Sequence, residues 1–281
     1  MGRVAVVTDS TSCLPADELG RLGVSVVPLR VTVGSRTWTD GVDITAGEIA
    51  RALRDKQQVS TSRPSPAEFA AVFRRLLDGG ASHVVSVHLS AALSGTWEAA
   101  VLAAQDFPHG AVRVVDSRST AMALGYAVRA AAERALDGSP AAAVQGAAAS
   151  TVDSTRTLFY VHTLEYLRRG GRIGTAASLF ATTLSVKPLL QVVEGQIVAL
   201  EKVRTTSKAL SRLVELAAQA AGDGKVDLAV HHLAAAEKAT GLATALAAAI
   251  PGAGECAVSE LGPVIGAHLG PGVLGVVLAR R

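Results

Sequence analysis

Along the first half of the chain, short apolar runs alternate with longer amphipathic stretches. Residues 4–7, Val-Ala-Val-Val, stop at Thr8-Asp9-Ser10-Thr11-Ser12, the pattern of a buried strand that opens into a polar loop. Residues 24–33 predict a second strand region, with Pro28 marking a bulge or an edge because proline has no N–H to give to a ladder. Residues 83–89 and 112–115 predict two more strands, and each again runs out into hydroxyl-bearing loops, at residues 90–96 and 116–119. Pro15 starts a helix whose Asp17 and Glu18 suit the positive end of the helix dipole. Thr45-Ala46-Gly47-Glu48 and Ser65-Pro66-Ala67-Glu68 are capping boxes, and predict helices through Arg54 and Leu77; Gly79-Gly80 stops the second. Helices over residues 96–106 and 120–136 complete the alternation. Strands separated by helices predict a parallel sheet with crossovers. Ligands of such sheets bind beyond the carboxyl ends of the strands, the edge that all three polar loops occupy.

The second half is less regular. Strands are predicted at residues 159–162, 226–231 and 273–278, with a hairpin of 187–193 and 196–202 around Glu194-Gly195. Helices are predicted from Thr163 to Arg168 and over residues 176–184, 207–221 and 234–249, and Arg169-Gly170-Gly171-Arg172 breaks the pattern. We therefore expect an α/β protein of two domains: an N-terminal parallel-sheet α/β domain over residues 1–155 and a C-terminal α+β domain over residues 156–281. No period of about 20–50 residues repeats, which excludes a solenoid.

Composition narrows the function classes. A chain of 281 residues that is 49% hydrophobic has ample material for two cores. The formal net charge of +3 is too small and too dispersed for a nucleic-acid footprint; the dense basic clusters are short, Arg168-Arg169 with Arg172, and Lys202 with Arg204 and Lys208. The two cysteines, Cys13 and Cys256, form no Cys-x-x-Cys pair, so neither a zinc ribbon nor a redox motif is present. The first apolar run is too short for a signal peptide, and no segment offers the roughly 18 apolar residues of a membrane span. A soluble cytoplasmic protein without membrane insertion is the expectation.

Most catalytic signatures are missing: there is no Gly-x-Ser-x-Gly elbow, no phosphate-binding Gly-x-x-x-x-Gly-Lys-Ser/Thr loop and no His-Glu-x-x-His. Gly270-Pro271-Gly272-Val273-Leu274-Gly275 satisfies Gly-x-Gly-x-x-Gly, but the chain ends six residues later at Arg281, so no helix of a dinucleotide fold can follow; it reads as a glycine-rich turn before a last strand. The seven histidines suggest no metal site: His231 and His232 are adjacent and point to opposite faces of a strand, as do His83 and His88. The remaining candidates are hydroxyl-rich loops, Thr61-Ser62 before Arg63-Pro64-Ser65-Pro66, and Ser94-Gly95-Thr96 opening a helix. Hydroxyls beside helix N-terminal amides suit an anion. Ser65 and Ser94 are equally suited to plain helix capping, and His268 to a solvated loop.

These segments resemble the DegV family in order and over the whole chain. The blocks are Val6-Val7-Thr8-Asp9-Ser10-Thr11, Thr61-Ser62-Arg63-Pro64-Ser65-Pro66, Leu93-Ser94-Gly95-Thr96 and Val115-Asp116-Ser117. In the second half they are Leu164-Glu165-Tyr166-Leu167-Arg168-Arg169-Gly170-Gly171-Arg172-Ile173, Lys187-Pro188, Lys202-Val203-Arg204-Thr205 and Gly262-Pro263-Val264-Ile265-Gly266-Ala267-His268-Leu269-Gly270-Pro271-Gly272. His162-Thr163 departs from the pattern where an Asp is expected.

The resemblance implies a non-catalytic carrier that buries one long-chain fatty acid between its two domains, without cofactor or metal. A separate ATP-dependent kinase subunit would phosphorylate the bound carboxylate to an acyl phosphate. It implies that Thr61, Ser62, Ser94, Gly95, Thr96 and His268 surround the carboxylate and that Arg172 lies near the mouth. Arg204 would contact the kinase. Phe180, Leu184, Leu189, Leu190 and Ile265 are candidates for lining the tail, and each is also an ordinary core residue type. Two alternatives stay open: a stand-alone acyl hydrolase with Ser94 as nucleophile and His268 as base, and a carrier of another lipid.

Overall fold

The computed structural model describes residues 2–181 and 187–281, without the side chains of residues 178–181 and of Glu255. In chain order the elements are β1 (Arg3–Asp9), α1 (Ala16–Leu22), β2 (Ser25–Val27), β3 (Arg30–Val33), β4 (Arg36–Thr39), α2 (Ala46–Arg54), β5 (Val59–Ser62), α3 (Pro66–Asp78), β6 (Ala81–His88), α4 (Thr96–Ala104), β7 (Val112–Asp116), α5 (Met122–Leu136) and α6 (Ala141–Ser154). Then come β8 (Thr155–Tyr160), α7 (Glu165–Arg169), a 3-10 segment (Gly174–Ala181), β9 (Lys187–Val193), β10 (Gln196–Val203), α8 (Thr206–Ala221), β11 (Val226–His232), α9 (Ala236–Ala249), β12 (Ala253–Glu260), α10 (Pro263–Leu269) and β13 (Leu274–Arg280). Two compact units result: Met1–Arg30 with Ser62–Ser154, and Val31–Thr61 with Thr155–Arg281.

The first unit is the expected parallel α/β domain. Its sheet has the order β2-β1-β6-β7, with every pair parallel. Residues 24–33 do not form one strand: the ladder stops at Pro28, so β2 ends as the sheet's edge and β3 belongs to another sheet. On one face Phe69 and Phe73, four apart on α3, pack with Ala99, Ala100 and Ala103 of α4 over Ala5, Val7 and Val84. On the other face lies α5, whose Met122–Val128 stretch is wholly buried, against α6. The sequence pattern left α6 unassigned, yet its buried residues Ala141, Val144, Ala148 and Val152 recur at helical spacing. Both capping boxes form as expected, Thr45 with Glu48 and Ser65 with Glu68, each side chain meeting the other's backbone.

The second unit carries a six-stranded sheet of order β10-β9-β8-β13-β11-β12, antiparallel except for β11 with β12. Alternate residues Leu158, Tyr160, Leu189, Leu228, Val230, Leu274, Val276 and Leu278 face α8 and α9, where Leu213 and Leu246 are fully buried. Dividing the chain at residue 155 leaves residues 31–61 in the first domain, whereas here they pack with the second unit. This segment supplies α2 and the three-stranded sheet β4-β3-β5. Contacts far apart in sequence hold it: Asp40 Oδ1 accepts the Val264 N–H at 3.1 Å, capping α10, and α2 packs on α10 around Gly266, where a side chain would meet Leu233 and Ile49. The Gly270–Gly275 motif is a turn that leads into β13.

Candidate functional site

In the first unit, two carboxylates organise the carboxyl edge of the parallel sheet. Asp9 ends β1 with no exposed surface. Its Oδ1 accepts the Thr11 N–H at 3.0 Å and the Thr11 hydroxyl at 2.6 Å; its Oδ2 accepts the Leu89 N–H at 3.0 Å and lies 3.0 Å from His88 Nδ1. His88 Nε2 is 2.6 Å from Ser86 Oγ. A buried carboxylate is tolerable only when satisfied in this way. The Ser86–His88–Asp9 order is that of a nucleophilic triad, but all three side chains are shielded from solvent, so we assign it to holding β1 and β6 in register. Asp116 does the same at β7, accepting the Ala91 N–H at 3.2 Å and the Arg118 N–H at 2.8 Å.

These bonds position the loop that carries Ser94. Its hydroxyl lies 2.8 Å from that of Thr96 and accepts the Thr96 N–H at 3.3 Å. A Cβ on Gly95 would lie 1.9 Å from Nη1 of Arg63, the end of a half-exposed side chain that donates to the Gly95 carbonyl at 3.2 Å and would have to swing aside. Ser62, at the end of β5, is exposed.

In the second unit, Thr61 Oγ1 and His268 Nε2 meet at 2.8 Å across 207 residues of sequence. Thr61 is held by β5 and His268 by α10, which starts at Pro263 and is closed by Gly270 just beyond Leu269. Gly270 has φ of +76°, and a Cβ on it would lie 2.1 Å from the Tyr166 ring. Gly170, at the end of α7, lies so close that its Cβ would be 2.1 Å from His268 Nδ1. Burial, with the Arg172 guanidinium nearby, lowers the His268 pKa from 6.5 to about 4, so the imidazole is neutral at pH 7. Its Nδ1 is buried and has no hydrogen-bond partner. An unpaired buried N–H costs more than an unpaired lone pair, which favours the proton on Nε2. His268 then donates to Thr61, and the Thr61 hydroxyl hydrogen is left to meet another acceptor.

Beside this pair opens a cleft of about 530 Å³, lined by Lys56, Gln57, Gln58, Tyr166, Arg169 and Arg172 together with Thr61 and His268. Arg172 Nη1 donates to the Gly170 carbonyl at 2.5 Å. Nothing in the local sequence marked Lys56, Gln57 or Gln58, because only the packing of α2 against α10 brings them here.

The family model described as the DegV family matches residues 3–281. The chain belongs to the DegV family. It is similar to a DegV domain-containing protein of Streptomyces coelicolor, 52% identical over 278 residues that cover 99% of both chains. Among solved structures it is similar to a DegV family protein of Thermus thermophilus described by its fatty acid binding, at 37% identity and a TM-score of 0.95, covering 99% of this chain and 100% of that one. It is likewise similar to DegV of Bacillus subtilis, described as a fatty acid binding protein, at 30% identity and a TM-score of 0.90 over 100% of both chains.

In this DegV chain the other predicted residues sit on several elements. Leu189 belongs to the core facing α8 and α9; Leu190 is equally buried but lies outside that cluster, as strand alternation requires. Ile265 is buried on α10, and Arg204 is exposed just before α8. Phe180 falls in the 3-10 segment, but its side chain, and Leu184 altogether, lie outside the described residues. The nearest hydroxyl partner of His268 is Thr61, and that of Ser94 is Thr96. Among the described residues no group of three His, Cys, Asp or Glu is gathered to hold a metal ion, and no helix is long and apolar enough to cross a membrane.

Proposed function

We propose that this chain binds one long-chain fatty acid and presents its carboxylate to a separate kinase, which converts it to an acyl phosphate. The observation that carries the reading is the Thr61–His268 pair: a neutral imidazole that orients a hydroxyl hydrogen toward an anion, in a chain similar to proteins described as binding fatty acids. Ser94, Ser62, Gly95 and Thr96 are the further carboxylate contacts of this reading, and Arg204 the contact to the kinase. Burying about fourteen methylenes of a palmitate-sized tail supplies roughly 11 kcal/mol gross. Association and ordering take back a large part of it. The tail thus supplies affinity, while the hydroxyls decide which end is presented.

Hydroxyl donors leave a carboxylate oxygen free to attack, where a bidentate arginine would occupy both. In the transfer itself, a carboxylate oxygen bonds to the terminal phosphorus of a nucleoside triphosphate supplied by the kinase. The bond from that phosphorus to its bridging oxygen breaks, and the electron pair leaves with the nucleoside diphosphate. No proton has to move, because the carboxylate is already ionised.

Denaturing extraction of the purified protein followed by mass spectrometry tests the binding step. About one equivalent of fatty acid is expected. Absence of lipid, together with failure to bind added palmitate, overturns the reading. For presentation, Ser94→Ala is expected to slow phosphorylation of bound palmitate; equal binding and an equal rate would overturn that part.

A further inference from the structure

In the second unit a groove of about 450 Å³ runs between α8 and α9, lined by Thr206, Leu210 and Val214 of the first and by Lys238, Gly241 and Leu242 of the second. α8 ends at Ala221, before β11 begins at Val226, and α9 starts at Ala236, just after β11 ends at His232. Both helices therefore begin at the carboxyl edge of β11 and run parallel. From Thr206 to Val214 the groove is about 12 Å long. Its floor is apolar and it is open along its length. An alkyl chain lying there would stay half in water, whereas a helix laid over it would close it.

The end at which the two helices begin is cationic. Lys238 lines the groove there. The Thr206 hydroxyl is 3.1 Å from that of Tyr160, which lies 3.4 Å from His162 Nδ1. Burial, and then the nearby Lys187 and Lys238, lower the His162 pKa, so both lysines face the same corner. Lys202, Arg204 and Lys208 are exposed on this edge, between the end of β10 and the first turn of α8. None of these five cations forms an ion pair among the described residues. Glu201 and Glu215, the acids of β10 and α8, are both engaged by Arg212, at 2.7 and 2.6 Å. Glu237, in the first turn of α9, does not line the groove. The positive dipole ends of α8 and α9 add to the same field.

Gly241 is an independent sign of an occupant. It sits inside α9, where glycine is less stable than alanine. A Cβ there would meet nothing within 4 Å, so no contact within the chain calls for glycine. Its bare backbone faces the groove and lets another backbone approach closely.

We propose that the α8–α9 groove is the docking surface for an acidic amphipathic helix of the kinase, its apolar stripe seated on Leu210, Val214 and Leu242 and the acidic residues of its last turn on Lys238. Such a helix runs antiparallel to α8 and α9, so its negative dipole end meets their positive ends. The inference rests on the carrier reading and deepens it, by naming the surface through which the kinase holds its carrier. A groove this short suits a contact that must release the carrier after each transfer.

The test uses the full chain loaded with palmitate and a kinase purified by its ability to phosphorylate palmitate held on wild type. Lys238→Glu is expected to raise the KM for the carrier about tenfold, with kcat and palmitate affinity within twofold, and Lys238→Arg to restore it. Gly241→Ala is expected to raise Tm by about 2 °C while raising that KM several-fold, because its methyl stabilises the helix and fills the groove. An unchanged KM in both Lys238→Glu and Gly241→Ala overturns the proposal. So does an unchanged KM in Lys238→Glu with loss of its binding to anionic phospholipid vesicles, which would make the edge a membrane contact. If no kinase phosphorylates palmitate on wild type, the presentation reading falls, and a stapled amphipathic helix with leucines at i, i+4 and i+7 and a glutamate-rich last turn decides the groove. It should bind wild type and not Lys238→Glu; equal binding to both, or none to wild type, rejects the groove.

Discussion

Gly170→Ala is a single methyl whose effect has opposite signs under two descriptions of the chain. Gly170 sits at φ −74° and ψ −11°, a conformation any residue adopts. By backbone entropy alone, alanine there should stabilise by about 0.4–1 kcal/mol. The packing predicts the reverse. The new Cβ would lie 2.1 Å from His268 Nδ1 and 2.8 Å from its Cε1, with the Tyr166 carbonyl at 3.3 Å behind. The half-buried imidazole must move, and its 2.8 Å contact with Thr61 is lost. Crowding of this kind costs about 1–3 kcal/mol, so the net effect is about 1–2 kcal/mol of destabilisation, or several degrees in Tm. Palmitate affinity should fall as well, because Thr61 loses the group that orients it. Thermal unfolding and ligand titration of Gly170→Ala measure both. Gly171→Ala is the control: its φ of +70° strains any side chain, but no atom lies within 4 Å, so it should lower Tm without touching ligand affinity. A Gly170→Ala protein as stable as wild type, with unchanged palmitate binding, would refute the assignment of His268 to the site.

Acidification should destabilise the chain before its carboxylates titrate. His268 and His231, the second held near 4 by complete burial and the adjacent His232, remain neutral in the folded state, while the unfolded chain protonates near 6.5. Stability is therefore complete above pH 6.5 and declines as pH falls to about 4, by about 3 kcal/mol per histidine; urea titrations at pH 7.5 and 5 should show it, and His268→Gln should remove its share. Asp9→Ala leaves His88, Thr11 and the Leu89 N–H without their acceptor and should cost about 3–5 kcal/mol by chemical denaturation, against a few tenths for an exposed carboxylate. Leu213→Ala, in the core under α8, should cost about 2–5 kcal/mol and leave palmitate binding unchanged. Ser65→Ala should cost about 1 kcal/mol by removing the cap of α3.

Local chemistry was enough to place much of this chain. Apolar runs that end in hydroxyl loops marked β1, β6 and β7, and the reciprocal hydroxyl–glutamate caps placed α2 and α3 at their true starts, because both signals depend on neighbours within a few residues. The order of the motif blocks identified the family from the same information. What lay beyond reach depends on contacts between distant residues. Asp40 capping α10, 224 residues away, draws residues 31–61 into the second unit, and nothing within that segment signals it. The Asp9–His88 pair joins residues 79 apart, so a search for carboxylates at ligand spacing passes over it. Thr61 and His268 were named as neighbours of one anion, but only the tertiary structure makes them partners of each other. It alone buries the imidazole enough to keep it neutral, and it alone sets Lys56 beside them.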